Sequence, residues 1–428
     1  MKSRNVFILV LSLLLVLSLA GCKSSSGKTK IRATVWVSQV EMNLLGKMFE
    51  KYSVNKSDVE VEYINIEGGG AYGREKLQTM IAGNDAPDVM LLNTGQFEAF
   101  AARGVLYNLG TLVQKESFNL DIYWPIAVDG CKYRGTLFGL PKDISNVILF
   151  YNKDLFDEAK IPYPTADWKF SDLLAAAKKL TIDRNGDGNI DQWGFALNNV
   201  VWAWAGHVWA NDGEIFNDDR TKVLLDNAKT IEALQDYFVE LNKYSPPPGA
   251  LPDQGWAGDY MVNKATAMGL FGPWFRPTLV EMETPFRWDV AHYPVADRTG
   301  KQTTVVYTDM WGIYKDSKVV EPAWDFIKFL SSKEGQGYWL EWIGAHSISP
   351  VIDVARSQGW INYGGSSGNI ILDALSYARV PPINFSSAME VETLWDQEFA
   401  SVIIGDTTVQ RAVSGMAPRI QRILDEMK

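Results

Sequence analysis

Short runs of β-branched and aliphatic residues alternate with helical segments from residue 31 onward, and this alternation restricts the chain to α/β architectures. Ile31 to Val37 reads as a strand, Glu41 to Lys51 as a helix and Val59 to Ile64 as a second strand. Arg74 to Ala82 places Leu77, Met80 and Ile81 on one helical face, and Gly83-Asn84-Asp85-Ala86-Pro87 breaks that helix. Asp88 to Leu92 is an apolar run without polar alternation, the pattern of a strand covered on both faces. The expected fold is an α/β sheet with parallel character, in which ligands sit beyond the carboxyl ends of the strands. That rule singles out residues 36–41 and 93–96. Farther along, Val147 to Tyr151 reads as a strand, and a helix from Ser171 carries Leu173, Ala176, Ala177 and Leu180 on one stripe. Further helices fit Lys229 to Lys243, Pro322 to Leu330 and Thr407 to Met427. In the last, Thr407 and Gln410 have capping-box spacing, and Pro418 is expected to kink the helix or end its first half.

The amino terminus stands apart from this pattern. Lys2 and Arg4 precede an apolar run from Val6 to Leu19, too short for the ~20 residues of a comfortable membrane span and suited to an export signal over residues 1–21. It ends in Leu19-Ala20-Gly21-Cys22, which resembles the bacterial lipobox, so Cys22 is the expected lipidated residue and 22–30 a polar tether. The remaining chain is long enough for two or three domains of ~100–200 residues. Loss of Lys2 and Arg4 takes the net charge from −10 to about −12, which argues against nucleic acid as a partner. Cys131 is then the sole other cysteine and is expected as a buried core thiol.

Several segments in order resemble the extracellular solute-binding protein family 1, the sugar-binding receptors of ABC importers. They are Lys76 to Val89, Leu149 to Phe156, Lys264 to Met268 with Gly272-Pro273-Trp274, and Glu321 to Leu330, behind the lipobox. The resemblance covers about residues 31–350. It implies a two-lobed, class II periplasmic-binding-protein fold with a central cleft and three crossings, near Leu140 to Asp143, Val306 to Trp311 and Ser331 to Gly337. One lobe would comprise 31–141 and 311–331, the other 142–310 and 332–428. It also implies a monomer that closes over a sugar, presents both lobes to a permease and hangs from the membrane by its Cys22 lipid. No catalytic residue is expected.

Aromatic residues make up 12% of the chain, and several fall where loops are expected, which suits a pyranose: its C–H face packs on an indole and its hydroxyls need planar donors and acceptors. Trp274 leads the candidates, because Gly272 and Pro273 turn the chain after an apolar strand and the family stacks a tryptophan there; Arg276 stands beside it. Trp311 at an expected crossing, Trp36 at the end of the first strand, Trp204, Trp256 and Trp342 follow. The polar candidates are Asn93 and Gln96 after a buried strand, Asp143 and Asp309 at the crossings, Glu41 after the first strand and His346 in a loop.

Asp183-Arg184-Asn185-Gly186-Asp187-Gly188-Asn189-Ile190-Asp191 matches positions 1, 3, 5, 6 and 9 of an EF-hand-type calcium loop, with Asp183, Asn185, Asp187, Asn189 and Asp191 as candidate ligands for a structural Ca²⁺. Position twelve is Gly194, where an EF-hand places a bidentate glutamate. The rival readings are a secreted glycosidase, with two carboxylates ~5–9.5 Å apart, and a two-lobed receptor for a non-sugar solute.

Overall fold

The computed structural model describes residues 27–35, 39–66, 70–247, 250, 257–282, 286–381 and 388–426. The signal segment with Cys22, and Trp36 and Trp256, therefore lie outside the described residues.

The opening alternation folds as patterned. Strand β1 (Thr29–Val35) is followed by helix α1 (Gln39–Asn55), β2 (Val59–Asn65), α2 (Gly70–Ala82), β3 (Val89–Leu92) and α3 (Thr94–Ala102). β1 pairs in parallel with both β2 and β3. Ile31, Ala33 and Val35 are fully buried on one face of β1, as period-two placement requires. Two long strands join this sheet, β4 (Gly139–Asn146) and later in the chain a ten-residue strand over Thr304–Ile313, and a short strand at Ala378–Arg379 makes it six-stranded.

The next strand, β5 (Ile148–Asn152), begins a second, three-stranded sheet. The amphipathic helix α4 (Phe170–Lys179) and the apolar helix α5 (Val201–Ala210) pack beside it. Later elements include β6 (Met268–Phe271), α6 (Phe275–Glu281), β7 (Trp288–Ala291) and β8, the Thr304–Ile313 strand. Helices α7 (Val320–Leu330), α8 (Lys333–Ile343), α9 (Ala388–Ile403) and α10 (Val409–Glu426) follow. β5 lies between β6 and β7, antiparallel to both, whereas parallel pairing joins the first three strands and, at Thr304 and Val305, β8 with Ala378–Arg379. Every residue of β5 is buried, and an unbroken apolar run carries no orientation signal. Its side chains alternate between two cores, Leu149 and Tyr151 into one and Ile148 and Phe150 into the other.

Three hydrophobic clusters result. The first gathers β1, β3, α1 and α7 with Trp311 and Trp324; the second gathers α4, α5, α9 and α10; the third holds Ile144, Ile148, Phe271, Phe275 and Trp360. β8 pairs antiparallel with β3 through Met310–Ile313 and with β4 along its length, and its end at Val305 and Val306 enters the second and third clusters. β4 likewise gives Leu140 to the first cluster and Ile144 to the third. These two strands are the connection between the two bodies. The resemblance puts a further crossing at Ser331 to Gly337, yet α8 places Trp339 in the first cluster with Tyr338, Trp342 and Ile343 against it. Leu340 of α8 packs against both the first and the third clusters, and Ala345 and Ile348 then join the third.

Two local expectations shift. α10 runs through Pro418 as one helix, and its start is capped by Thr408, whose hydroxyl accepts the Arg411 N–H at 3.3 Å. Cys131 is fully buried and unpaired, and burial pushes its thiol well above the usual range. Among the described residues no helix is long and apolar enough to cross a membrane.

Candidate functional site

The carboxyl end of β3 and the amino end of β5 both meet the crossing strands. After Leu92 the chain turns into α3, and the Thr94 hydroxyl donates to the Thr308 carbonyl at 2.9 Å and accepts the Thr308 N–H at 3.0 Å. On the other side Phe271, the last residue of β6, pairs with Ile148, two residues past the end of β4. The Gly272–Trp274 turn therefore leaves its sheet beside the crossing. Strand ends from both bodies converge on β4 and β8.

At the centre Asp143 faces Asp309 across the β4–β8 ladder. Asp143 is buried; its Oδ2 accepts from Lys142 Nζ at 2.6 Å and from Ser347 Oγ at 2.9 Å. Lys142, also buried, places its ammonium 4.3 Å from the Trp339 ring centroid, a cation–π contact in a desolvated place. Gln336 holds the main chain here, donating to the Lys142 carbonyl at 3.0 Å and accepting from Ser349 at 2.9 Å. Burial, and then the facing Asp143 carboxylate, push the Asp309 carboxyl well above the usual range, against the pull of Lys142.

The folded protein holds the Asp309 proton more tightly than the unfolded chain, which releases it near pH 3.9. This group's contribution is present below that pH and is lost as pH rises through its raised folded value. Asp309→Asn, which fixes the neutral form, is expected to melt increasingly above the parent as pH climbs from about 4 to 8. Parallel melting curves at every pH would show that the carboxyl is not strained.

Several candidates make contacts within the protein itself. Asn93 and Gln96 cap α3 reciprocally: the Gln96 N–H reaches Asn93 Oδ1 at 2.9 Å and the Asn93 N–H reaches Gln96 Oε1 at 3.3 Å. Trp204 is fully buried in the second cluster, edge-on to Trp395 with centroids 5.5 Å apart. Trp311 is buried in the first cluster. Trp342 lies on α8 with its ring stacked on Tyr338 at 4.8 Å. Arg276 is fully buried; it donates to Ser366 Oγ and to the carbonyls of Trp360 and Tyr363 at 2.9–3.1 Å, with its guanidinium over both rings. Burial lowers its pKa to about 10. It binds the 360–366 segment to α6. In each case the sequence signal was chemical type, and the contacts found are with the protein's own groups, although Trp204 Nε1 and Arg276 Nη1 are buried without a hydrogen-bond partner.

Asp143 and Asp309 lie on the crossing strands, and Trp274 and His346 lie in loops. Trp274 is half-buried, touching both the second and third clusters and edge-on to Trp202 at 5.6 Å. Its ring folds back over Gly272, where any Cβ would lie inside the indole, so Gly272 is required there. His346 is partly buried in the loop next to Ser347. Glu41 lies in α1 with its side chain outside the described residues. Lys142, Ser347, Gln336 and Trp339 were not anticipated; only the charge pair Lys142-Asp143 within an apolar stretch hints at them.

In the Asp183–Asp191 loop the acceptors turn onto the loop's own amides. Asp183 takes the N–H of Gly186 at 2.7 Å and of Gly188 at 2.9 Å, Asn185 that of Asp187 and Asp187 that of Asn189, both at 2.8 Å. Asp191 takes the Arg184 N–H at 2.7 Å. These bonds hold the Asp183 and Asp187 carboxyls below the usual range. Gly194 packs against the Ala177 carbonyl so tightly that no side chain fits, which explains the missing glutamate. Among the described residues no three His, Cys, Asp or Glu side chains gather as metal ligands.

Comparison with known proteins now decides the family: the bacterial extracellular solute-binding protein profile matches residues 38–337. The chain is a bacterial extracellular solute-binding protein. Among its relatives, the arabinooligosaccharide-binding protein of Bacillus subtilis is 24% identical over 78% of this chain and 77% of its own. Putative binding proteins of Brucella abortus and Brucella suis are 28% identical over 61% of this chain, and the match spans 62% of their length. Among solved structures, the ABC substrate-binding protein Lmo0181 of Listeria monocytogenes, in complex with cycloalternan, superposes with a TM-score of 0.82 at 28% identity, covering 93% of this chain and 99% of that one. The maltose-bound MalE3 of T. maritima gives 0.77 at 22%, covering 92% and 100%. This solute-binding protein thus shares the two-lobed fold of maltose-binding-like receptors, and its crossing strands lie where the two bodies join.

Proposed function

We propose that this solute-binding protein captures an oligosaccharide between its lobes and delivers it to an ABC permease, from a lipid tether at Cys22. The observation that carries the reading is the half-buried Trp274 indole, presented where β6 leaves its sheet beside the crossing strands. It offers the apolar face a pyranose needs, within a family whose relatives include arabinooligosaccharide- and galactooligosaccharide-binding proteins. Asp309, Asp143 and His346 supply hydroxyl partners from the crossing, with Lys142 and Ser347 orienting Asp143. One lobe comprises residues 29–141 with 311–343, and the other 142–310 with 345–426, because α8 packs on the first body. Calorimetry with mono-, di- and trisaccharides of arabinose, galactose and glucose tests the reading. Saturable binding of at least one oligosaccharide is expected; silence across the panel removes the sugar assignment.

For the Asp183–Asp191 loop we propose weak calcium binding. With no gathered trio of carboxylates, an ion would rest on Asp183 and Asp187 oxygens supplemented by Asn185 and main-chain carbonyls. Affinity near 10⁻³ M, typical of extracellular modules, would give ~1.4 kcal/mol of stabilisation at ~10 mM Ca²⁺. A melting temperature that rises with millimolar Ca²⁺ and falls back with EGTA is expected; identical melts would mark a metal-free turn.

A further inference from the structure

Away from the crossing strands, Glu98 of α3 and Arg220 meet in an ion pair, with Arg220 Nη1 donating to Glu98 Oε2 at 2.7 Å. Glu98 belongs to the first body, whose core takes Phe97 and Phe100 from the same helix. Arg220 belongs to the second, in a turn flanked by Phe216 and Val223 of its core. We infer that this pair is a latch between the lobes: it favours the closed arrangement and so sets ligand affinity without touching the ligand. The inference rests on the two-lobed reading.

Both carriers are held in place. α3 is fixed by the Asn93–Gln96 cap and by the paired Thr94–Thr308 bonds to β8. In the Arg220 turn, Asn217 Oδ1 accepts the N–H groups of Thr221 at 2.9 Å and Lys222 at 2.8 Å. Gln421 of α10 then clamps the turn from outside, accepting the Val223 N–H at 3.0 Å and donating to the Thr221 carbonyl at 2.9 Å. Arg220 itself is left-handed, with φ 56°, a conformation costly for a residue with a Cβ. From this turn the guanidinium reaches across to Glu98 of the opposite lobe. The side chains remain 30% and 15% exposed, so the attraction is screened by salt and modest in size. A lobe equilibrium responds to modest terms, since apparent affinity scales with the closed fraction.

The test compares small-angle scattering of the unliganded protein with calorimetry on the tightest sugar of the panel. Arg220→Glu, which sets two carboxylates against each other, is expected to enlarge the radius of gyration and weaken binding about tenfold. Glu98→Gln shifts both in the same direction by less, and 0.5 M NaCl moves the parent the same way. The swap E98R/R220E restores both. An Arg220→Glu protein with the parent's radius of gyration, or a swap that restores neither quantity, overturns the latch. Should no sugar bind, the sugar assignment falls while the scattering comparison still decides the latch.

Discussion

Trp204→Ala is expected to lower the unfolding free energy by about 3–5 kcal/mol while leaving sugar affinity within twofold of the parent. The indole is fully buried among Trp395, Phe399 and Phe238, each edge-on at 5.4–6.3 Å between centroids. Truncation leaves a cavity that packed aromatic neighbours on α5, α9 and the 236–240 helical turn cannot collapse to fill. Denaturant melts of the variant beside calorimetry would separate the two readouts. A variant that keeps its stability and loses its ligand would return Trp204 to the binding site.

Trp274→Ala is expected to do the reverse, weakening sugar binding by about 1–3 kcal/mol through loss of the stacking face. Its cost in stability is smaller, because the ring is only half-buried. Trp274→Phe retains a flat apolar face and is expected to fall between the two in affinity. Equal affinities for parent, Phe and Ala variants would make Trp274 a packing residue between the second and third clusters.

The contrast between these two tryptophans marks the limit of what could be read from the chain. Both are large aromatics near a predicted break in structure. Gly272-Pro273 before Trp274 forces a turn after a buried strand, a local constraint that survives in any fold of this sequence. Trp204 has no such neighbour; its apolar helix, Val201–Ala210, is covered by α9 and α10, about 200 residues later. Arg276 likewise has partners that lie far along the chain. A cation two residues from a candidate platform suggested a hydroxyl partner, yet its partners are carbonyls at 360 and 363 that no sequence spacing announces.

Local spacing was enough for the β-α-β opening, the buried strands and the turn under Trp274, because each depends on neighbours within a few residues. The orientation of β5 between β6 and β7, the packing of α8 on the first body, the meeting of Asp143 with Asp309 and the Glu98–Arg220 pair were decided by tertiary structure. In each of these the interacting groups are more than 100 residues apart or share a face only after the sheets close. An apolar run specifies burial, and burial is the same whichever partner provides it.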